Sequence, residues 1–376
     1  MRKALMKGNK NSDGNQRHIE TEESRITGLL NFVVALAIAA VAYTDWIVIA
    51  NISLGYLYVL PIALSALVNP LPLTIALAVG CTFLQDIFGP TSDTLQVRVV
   101  RGVMSLAGFL VVGFFVTLIA RQRARMAAEV RRQRDEYEHD LVLASQVQRR
   151  VLPKPPTVPG LELAAEMQTA RLLGGDYYDF FQISDDVVDV VIADVSGKGA
   201  AASLLMPSLA MALRLRAREL SGPAAIIKDL DGVLKQITNS ATFVTMFYAR
   251  FHQANRTLQY ANGGHNPPLL VRPKTGESLL LEAGGPIMGI LPDPQFSDTV
   301  IALDQGDILT LFTDGVTEQE NENGDEFSLG RLKEVVLSQE TEPAAAVVAR
   351  ISEAVFRFAG TKEQADDLTV VVAKVQ

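Results

Sequence analysis

The stretch "GGDYYDF", residues 174–180, places Asp176 directly after two glycines. A similar arrangement follows in "ADVSGKG", residues 193–199, where Asp194 ends a β-branched run, 186–195, that is typical of a buried strand. Glycine lets a backbone or a substrate approach closely, and strand ends hold carboxylates rigidly. The two stretches therefore raise the question of whether their aspartates meet and share one task.

The sequence after "LPKPPTVPG", residues 152–160, predicts many strands with few crossover helices, so a domain is expected over 152–376. A long helix is expected to begin just after Gly199. Further strands are predicted at 242–251, 257–262, 307–315 and 366–375. Because most of these strands follow one another across short turns, the sequence predicts an α+β domain with an antiparallel β-sandwich.

Two more aspartates share the same local setting. Asp314 stands before Gly315 at a predicted strand end, and Asp366 opens the last predicted strand. Carboxylate oxygens are the ligands that hard divalent cations prefer, although a single aspartate at a strand end is also a common turn former. The chain has one cysteine, Cys81, and four scattered histidines, which excludes an internal disulfide and a cysteine-based metal site.

Five ordered motifs resemble those of the PPM family of metal-dependent serine/threonine phosphatases, in its bacterial SpoIIE-like branch. They are "GGDYYDF", "ADVSGKG", "ANGGHNPPLL" (261–270), "LFTDGVTE" (311–318) and "ADDLTVVV" (365–372). The preceding "ASQVQRRVLP", 144–153, is also similar to that branch. The resemblance implies an αββα sandwich, in which helices flank the antiparallel β-sandwich. It also implies an enzyme that removes phosphate from serine or threonine on a regulatory protein, a STAS-type anti-sigma-factor antagonist.

The resemblance also implies a role for each motif aspartate. Asp194 would bridge two Mn²⁺ or Mg²⁺ ions, helped by the main-chain carbonyl of Val195. Asp176 would serve one ion, and Asp314 and Asp366 would serve the other. The ions would activate a water for in-line attack on the phosphorus, so that no covalent phosphoenzyme is needed.

Other residues near the motifs leave alternatives open. Asp367 stands where the family frequently has Asn, so either Asp366 or its neighbour could point towards the ions. Lys198 and Arg171 are candidates to contact phosphate or are solvated surface residues, and the full P-loop pattern is absent. His265 and Asn266 are expected to fix a turn rather than to bind metal.

Charge and hydropathy divide the chain into a membrane part and a soluble part. Residues 1–150 hold 16 basic and 12 acidic residues, whereas the remainder holds 18 and 30, a balance that argues against a nucleic-acid partner. Residues 26–44, 46–85 and 102–120 carry no charge. The longest run fits two spans that turn at "NPLP", 69–72, which predicts a four-helix transmembrane sensor region over 26–120. Buried core helices are the alternative.

Basic clusters precede and follow this region, within a tail at 1–25 and in the segment after 120. The positive-inside rule then places both ends in the cytoplasm, with the protein in the cell (inner) membrane and its enzyme domain cytoplasmic. Among the apolar residues, a polar and aromatic set either forms a ligand or ion site or serves helix packing and interface anchoring. The set is Asp45, Tyr56, Tyr58, Pro61 and Asp86. The region resembles bacterial membrane sensor modules attached to signalling enzymes.

The segment 121–151 joins the two parts and is strongly helix-forming. Val130, Tyr137, Ala144 and Val151 are spaced by sevens, which predicts a short coiled coil and a homodimer, with a solvated single helix as the alternative. Two other functions are considered for the whole chain. One is a catalytically inactive phosphatase-fold sensor or scaffold, and the other is a four-helix transporter with an accessory domain. Retention of all four acids favours the enzyme.

Overall fold

The structure is a computed structural model that describes residues 2–47, 54–88, 94–197, 200–238 and 242–376, with side chains described from residue 25 onward except at 200 and 201. The chain divides into two compact units, Met1–Asp135 and Glu136–Gln376. The division lies inside one continuous helix, so the domain limits at 25, 120 and 151 stay predictions.

The first unit is helical. Its elements are α1 (Arg2–Ile47), a 3₁₀ turn (Gly55–Tyr58), α2 (Val59–Val68), α3 (Leu71–Phe88) and α4 (Leu95–Val151), the last of which continues into the second unit. Three helical segments are long and apolar enough to cross a membrane: Arg25–Ile47, Leu71–Phe88 and an apolar stretch within Leu95–Val151. The apolar segment Gly55–Val68 is shorter. The predicted turn at 69–72 is confirmed, because α2 ends at Val68 and α3 begins at Leu71, while the count of four spans stays a prediction.

The second unit contains two β-sheets. In the described part of the chain the strands are β1 (Leu161–Gln168), β2 (Asp176–Gln182), β3 (Val187–Val195), β4 (Val244–His252), β5 (Thr257–Gly263), β6 (Leu269–Arg272), β7 (Glu277–Leu280), β8 (Gly284–Gly285), β9 (Thr299–Ala302), β10 (Ile308–Phe312) and β11 (Leu368–Val375). One sheet has the order β1-β11-β10-β6-β7, and the other has the order β2-β3-β4-β5-β8 with β9 beside β5. Every pairing is antiparallel except that of β5 with β8.

Helices cover the outer faces of both sheets. They are α5 (Ala200–Arg216), α6 (Pro223–Ile237), α7 (Asp314–Thr317), α8 (Ser328–Leu337) and α9 (Ala344–Ala359). Side chains alternate along each strand. Tyr178 therefore packs between the sheets with Val371, whereas Tyr177 packs under α5 and α6, and Val370 packs under α8 and α9. The four layers confirm the expected αββα sandwich, and α5 begins where a helix was predicted.

A buried ion pair fixes the end of α5 to the sheet. Asp189 and Arg250 are directly opposite each other in β3 and β4. The Arg250 Nε and Nη2 donate to the two carboxylate oxygens at 2.7 and 2.8 Å, and Nη2 also donates to the carbonyl of Ala217 at 3.0 Å. Both charged side chains are buried, so the fork geometry and the extra hydrogen bonds offset their desolvation.

Candidate active site

The aspartates of the first two motifs meet across neighbouring strands. Asp176 opens β2, Asp194 is the penultimate residue of β3, and the antiparallel register places them directly opposite each other. Directly opposed residues on one face of an antiparallel pair have their side chains about 5 Å apart. The pairing of β2 with β3 therefore brings together the carboxylates of two successive motifs.

Close approach of the backbone explains the glycines. A Cβ atom on Gly175 would lie 2.8 Å from the carbonyl oxygen of Val195 and 3.3 Å from Asp194 Oδ1. A Cβ atom on Gly315 would overlap the backbone of Asp367. Only glycine fits at these two positions without displacing the segments that carry the acids.

Two threonines hold Asp176 in place. Its Oδ2 accepts hydrogen bonds from Thr313 Oγ1 at 2.8 Å and from Thr369 Oγ1 at 2.5 Å. Thr313 directly precedes Asp314, the first residue of α7, and Thr369 lies in β11. Since β2 belongs to one sheet and β11 to the other, Asp176 links the sheets at the end where the other two motifs lie.

The neighbours Asp366 and Asp367 have different environments. The Asp367 carboxylate is buried and accepts from the backbone N–H groups of Ala170 at 2.9 Å and Gly175 at 2.8 Å. Asp366 is half-buried, and both residues line a small cavity of about 20 Å³ together with Asp194. Asp367 therefore positions the glycine loop.

The acids of the four motifs act on one another electrostatically. Burial, followed by the charges of Asp314, Asp366 and Asp367, raises the pKa of Asp194 to about 6. Burial, followed by the charge of Asp194, raises the pKa of Asp176 well above its ordinary value. The four predicted acids therefore act on one another, and a cation among them would relieve the repulsion.

The donor set fits hard divalent cations. Carboxylate oxygens and a main-chain carbonyl are the ligands that Mg²⁺ and Mn²⁺ take. Among the described residues, no three acid, histidine or cysteine side chains are already close enough to hold an ion together. The acids would have to move inward around the ions, which their repulsion opposes until the ions are bound.

The remaining predicted site residues have separate outcomes. Arg171 is exposed and lines the cavity of the acids. Lys198 lies outside the described residues. The backbone N–H and carbonyl of His265 bond the side chain of Asn262 at 2.7 and 2.9 Å, so this residue fixes a turn, as expected. Burial lowers the pKa of its imidazole to about 4, with partial compensation from the backbone of Phe312.

Three residues that hold the site were not identified from the sequence. Thr313 and Thr369 lie within the quoted motifs "LFTDGVTE" and "ADDLTVVV", but nothing local shows that both turn towards Asp176. Gln148, near the end of α4, donates from Nε2 to the carbonyl of Gly174 at 2.6 Å and accepts from the N–H of Gly174 at 3.2 Å. Gln148 lies within the quoted stretch "ASQVQRRVLP", but its burial is visible only in the structure.

Comparisons with known proteins agree with this fold. Residues 184–376 match the family described as Stage II sporulation protein E (SpoIIE). Phosphoserine phosphatase RsbU of Bacillus subtilis is 33% identical over 190 residues, which are 50% of this chain and 56% of RsbU. Phosphoserine phosphatase RsbP of the same organism is 26% identical over 185 residues, 48% of this chain and 46% of RsbP. The chain thus spans about half the length of the curated relatives it matches.

Solved structures share the sandwich. The SiaA-PP2C domain of Pseudomonas aeruginosa superposes with a TM-score of 0.57 at 19% identity, covering 65% of this chain and 99% of that domain. The RsbU and RsbW domains of Rv1364c from Mycobacterium tuberculosis superpose with a TM-score of 0.51 at 26% identity, covering 59% of this chain and 63% of that one. The family match covers half of the chain and includes three of the four clustered acids, and the chain therefore belongs to the SpoIIE family of PPM-type phosphatase domains.

Proposed function

We propose that the second unit is a phosphoprotein phosphatase that hydrolyses phosphoserine or phosphothreonine on a regulatory protein. The observation that carries the proposal is the placement of Asp176 opposite Asp194 beside a cavity that Asp366 also lines. Such a group of acids has no evident purpose in a fold that only binds protein, because its repulsion destabilises the folded state.

Two divalent cations, held by Asp176, Asp194, Asp314, Asp366 and the Val195 carbonyl, would lower the pKa of a water and offset the phosphoryl charge. The chain itself supplies position. Thr313 and Thr369 orient Asp176 through its Oδ2. Arg171 at the cavity can hold phosphoryl oxygens by its planar fork of N–H donors.

The proposed substrate is a phosphorylated STAS-type anti-sigma-factor antagonist. Two relatives are named phosphoserine phosphatases, which supports phosphoserine as the group that is hydrolysed. A cavity of about 20 Å³ admits a water or a small ion but not a folded domain, so the phosphoserine would have to reach the acids from the protein surface.

The first unit is proposed to anchor and regulate the enzyme. Three of its helical segments are long and apolar enough to cross a membrane, which supports a multi-pass protein in the cell (inner) membrane with both ends cytoplasmic. On α4, Val130 is 65% and Tyr137 is 61% exposed. Large apolar side chains spaced by seven and exposed in one chain support a coiled coil with a second copy.

The deciding experiment uses the full chain in lipid nanodiscs with Mn²⁺ and a phosphoserine-bearing antagonist protein, and it measures phosphate release. Turnover that requires Mn²⁺ or Mg²⁺ is expected, with Asp194→Asn as the inactive comparison. Specific binding of the phosphoprotein without phosphate release, in either metal, would favour the inactive sensor or scaffold instead.

A further inference from the structure

A second group of buried polar side chains lies in the first unit, apart from the acids of the phosphatase domain. Asp45 is two residues before the last residue of α1, Tyr58 closes the 3₁₀ turn, and Gln85 is near the end of α3. Their exposed fractions are 5%, 0% and 5%. Three elements that are separate in sequence thus bury polar groups together in an apolar bundle.

Each of these side chains has one oxygen without a hydrogen-bond partner among the described residues. The oxygens are Asp45 Oδ2, the Tyr58 hydroxyl and Gln85 Oε1. The other Asp45 oxygen accepts from the N–H of Leu54 at 2.7 Å, which fixes the carboxylate. Buried polar atoms are nearly always paired because each unpaired one costs about 1–3 kcal/mol. Each of the three oxygens can therefore take up a hydrogen bond from a ligand.

The packing holds the three side chains near one another. Asp45 and Cys81 both lie close enough to the Tyr58 hydroxyl to act on it electrostatically. The backbone of Gly55 packs so tightly on Gln85 that a Cβ atom there would overlap its side chain. Tyr58 packs in one buried apolar cluster with Ile62, Ala78, Cys81 and Phe109.

The chemistry of the oxygens selects the ligand. A carboxylate, an amide oxygen and a phenol oxygen all accept hydrogen bonds, and together they carry one negative charge. A primary ammonium group carries one positive charge and three N–H donors, which matches that set. Mg²⁺ and Ca²⁺ need six or more oxygen ligands, and an anion would be repelled by Asp45.

We propose that Asp45, Tyr58 and Gln85 form a binding site for a primary ammonium group. The group belongs either to a small soluble amine or to the ethanolamine headgroup of a lipid. The site goes beyond the phosphatase activity. Since the ligand would bond α1, the 3₁₀ turn and α3 at once, its binding changes the relative stability of arrangements of the first unit.

Trp46 is the single tryptophan of the chain and adjoins Asp45, so its fluorescence reports on this site. The full chain in phosphatidylcholine nanodiscs is titrated with methylammonium chloride, and both Trp46 emission and melting temperature are followed. Tetramethylammonium chloride, which has no N–H donor, and NaCl serve as salt controls. A saturable response to methylammonium alone is expected. No response in either measurement, or equal responses to all three salts, would overturn the site.

Variants test the residues. Asp45→Asn is expected to weaken methylammonium binding at least tenfold, and Tyr58→Phe about threefold to tenfold, from the usual strengths of charged and neutral hydrogen bonds. The matched control is Asp86→Asn, which removes an acid adjacent to Gln85 that is already paired with Arg98 at 2.7 Å. Unchanged affinity in Asp45→Asn, or an equal loss in Asp86→Asn, would refute the assignment.

The source of the ammonium group is distinguished by the lipid. If the site takes a headgroup, nanodiscs that contain phosphatidylethanolamine show the shifted Trp46 emission before any titration, and methylammonium adds little. If it takes a soluble amine, the titration is the same in both lipids. Either pattern must disappear in Asp45→Asn for the proposal to hold.

Discussion

Replacement of Asp194 by asparagine tests the acid cluster, because the expected change in the stability of the metal-free protein is a gain rather than a loss. The shape of the side chain is kept, but one negative charge is removed from the residue expected to touch both ions. In the metal-free folded protein the pKa of Asp194 is raised from an ordinary 3.8 to about 6, because the group is largely removed from solvent and lies near Asp314, Asp366 and Asp367. The ionised group therefore destabilises the fold, and its removal should stabilise the metal-free protein.

The magnitude follows from linkage. A difference of about two pKa units corresponds to at most about 3 kcal/mol in the free energy of unfolding at neutral pH. Solvent screening reduces this value because Asp194 is partly exposed. The folded state binds more protons than the unfolded state between pH 3.8 and about 6. This contribution to stability is therefore present below pH 3.8 and lost as pH rises through about 6. For a unit of this size, the replacement is expected to raise the melting temperature of the metal-free protein by up to about 5–10 °C.

The assay compares the parent and Asp194→Asn proteins in EDTA and in Mn²⁺, by melting and by single-turnover dephosphorylation. In EDTA at neutral pH the variant should melt higher than the parent. In Mn²⁺ it should lose the metal-dependent rise in melting temperature and at least about a thousandfold in rate, equivalent to about 4 kcal/mol of barrier. Asp185→Asn, an exposed acid in the turn before β3, should change neither.

The opposite result would refute the reasoning. If Asp194 is only a turn former, its replacement lowers the melting temperature in EDTA and leaves metal binding and the specific activity of the folded protein intact. A variant that still gains stability from Mn²⁺ and turns over normally would show that the ions, if bound, lie elsewhere.

Three further predictions concern other parts of the chain. A reporter that is active only outside the membrane, fused to the C-terminus, should give no signal, and a strong signal would contradict the cytoplasmic placement. Replacement of both Val130 and Tyr137 by lysine should weaken dimerisation and change the activity of the membrane-bound form, since both side chains are exposed and spaced by seven. Unchanged hydrodynamic mass and activity would mean that α4 is only a spacer. Arg250→Met should lower the stability of the second unit by about 3–5 kcal/mol, because it leaves the buried carboxylate of Asp189 unpaired. Thermal melting measures this loss, and a loss below about 1 kcal/mol would mean that the ion pair is dispensable.

The sequence predicted the helices, the strands and the candidate acids because the patterns that indicate them are local. The β-branched run before Asp194, the glycines and the proline break each act within a few residues. What it left open depends on distant contacts. The sequence "DD" at 366–367 does not show which of the two aspartates points towards the ions. The oxygens of Asp367 accept from the backbone N–H groups of Ala170 and Gly175, which lie nearly 200 residues earlier.

The contacts between the end of α4 and the segment that carries Asp176 also join residues that are distant in sequence, so the sequence did not predict them. The last turns of α4 contact both ends of the segment that carries Asp176. At one end Gln148 bonds both backbone groups of Gly174, and at the other Arg214 donates to the carbonyl of Val151 at 2.9 Å and to Asp179 at 3.1 Å. Rotation or displacement of the end of α4 would therefore strain the backbone next to Asp176. In the proposed dimer, a change in how two copies of α4 pair would have a covalent and hydrogen-bonded path to the acids.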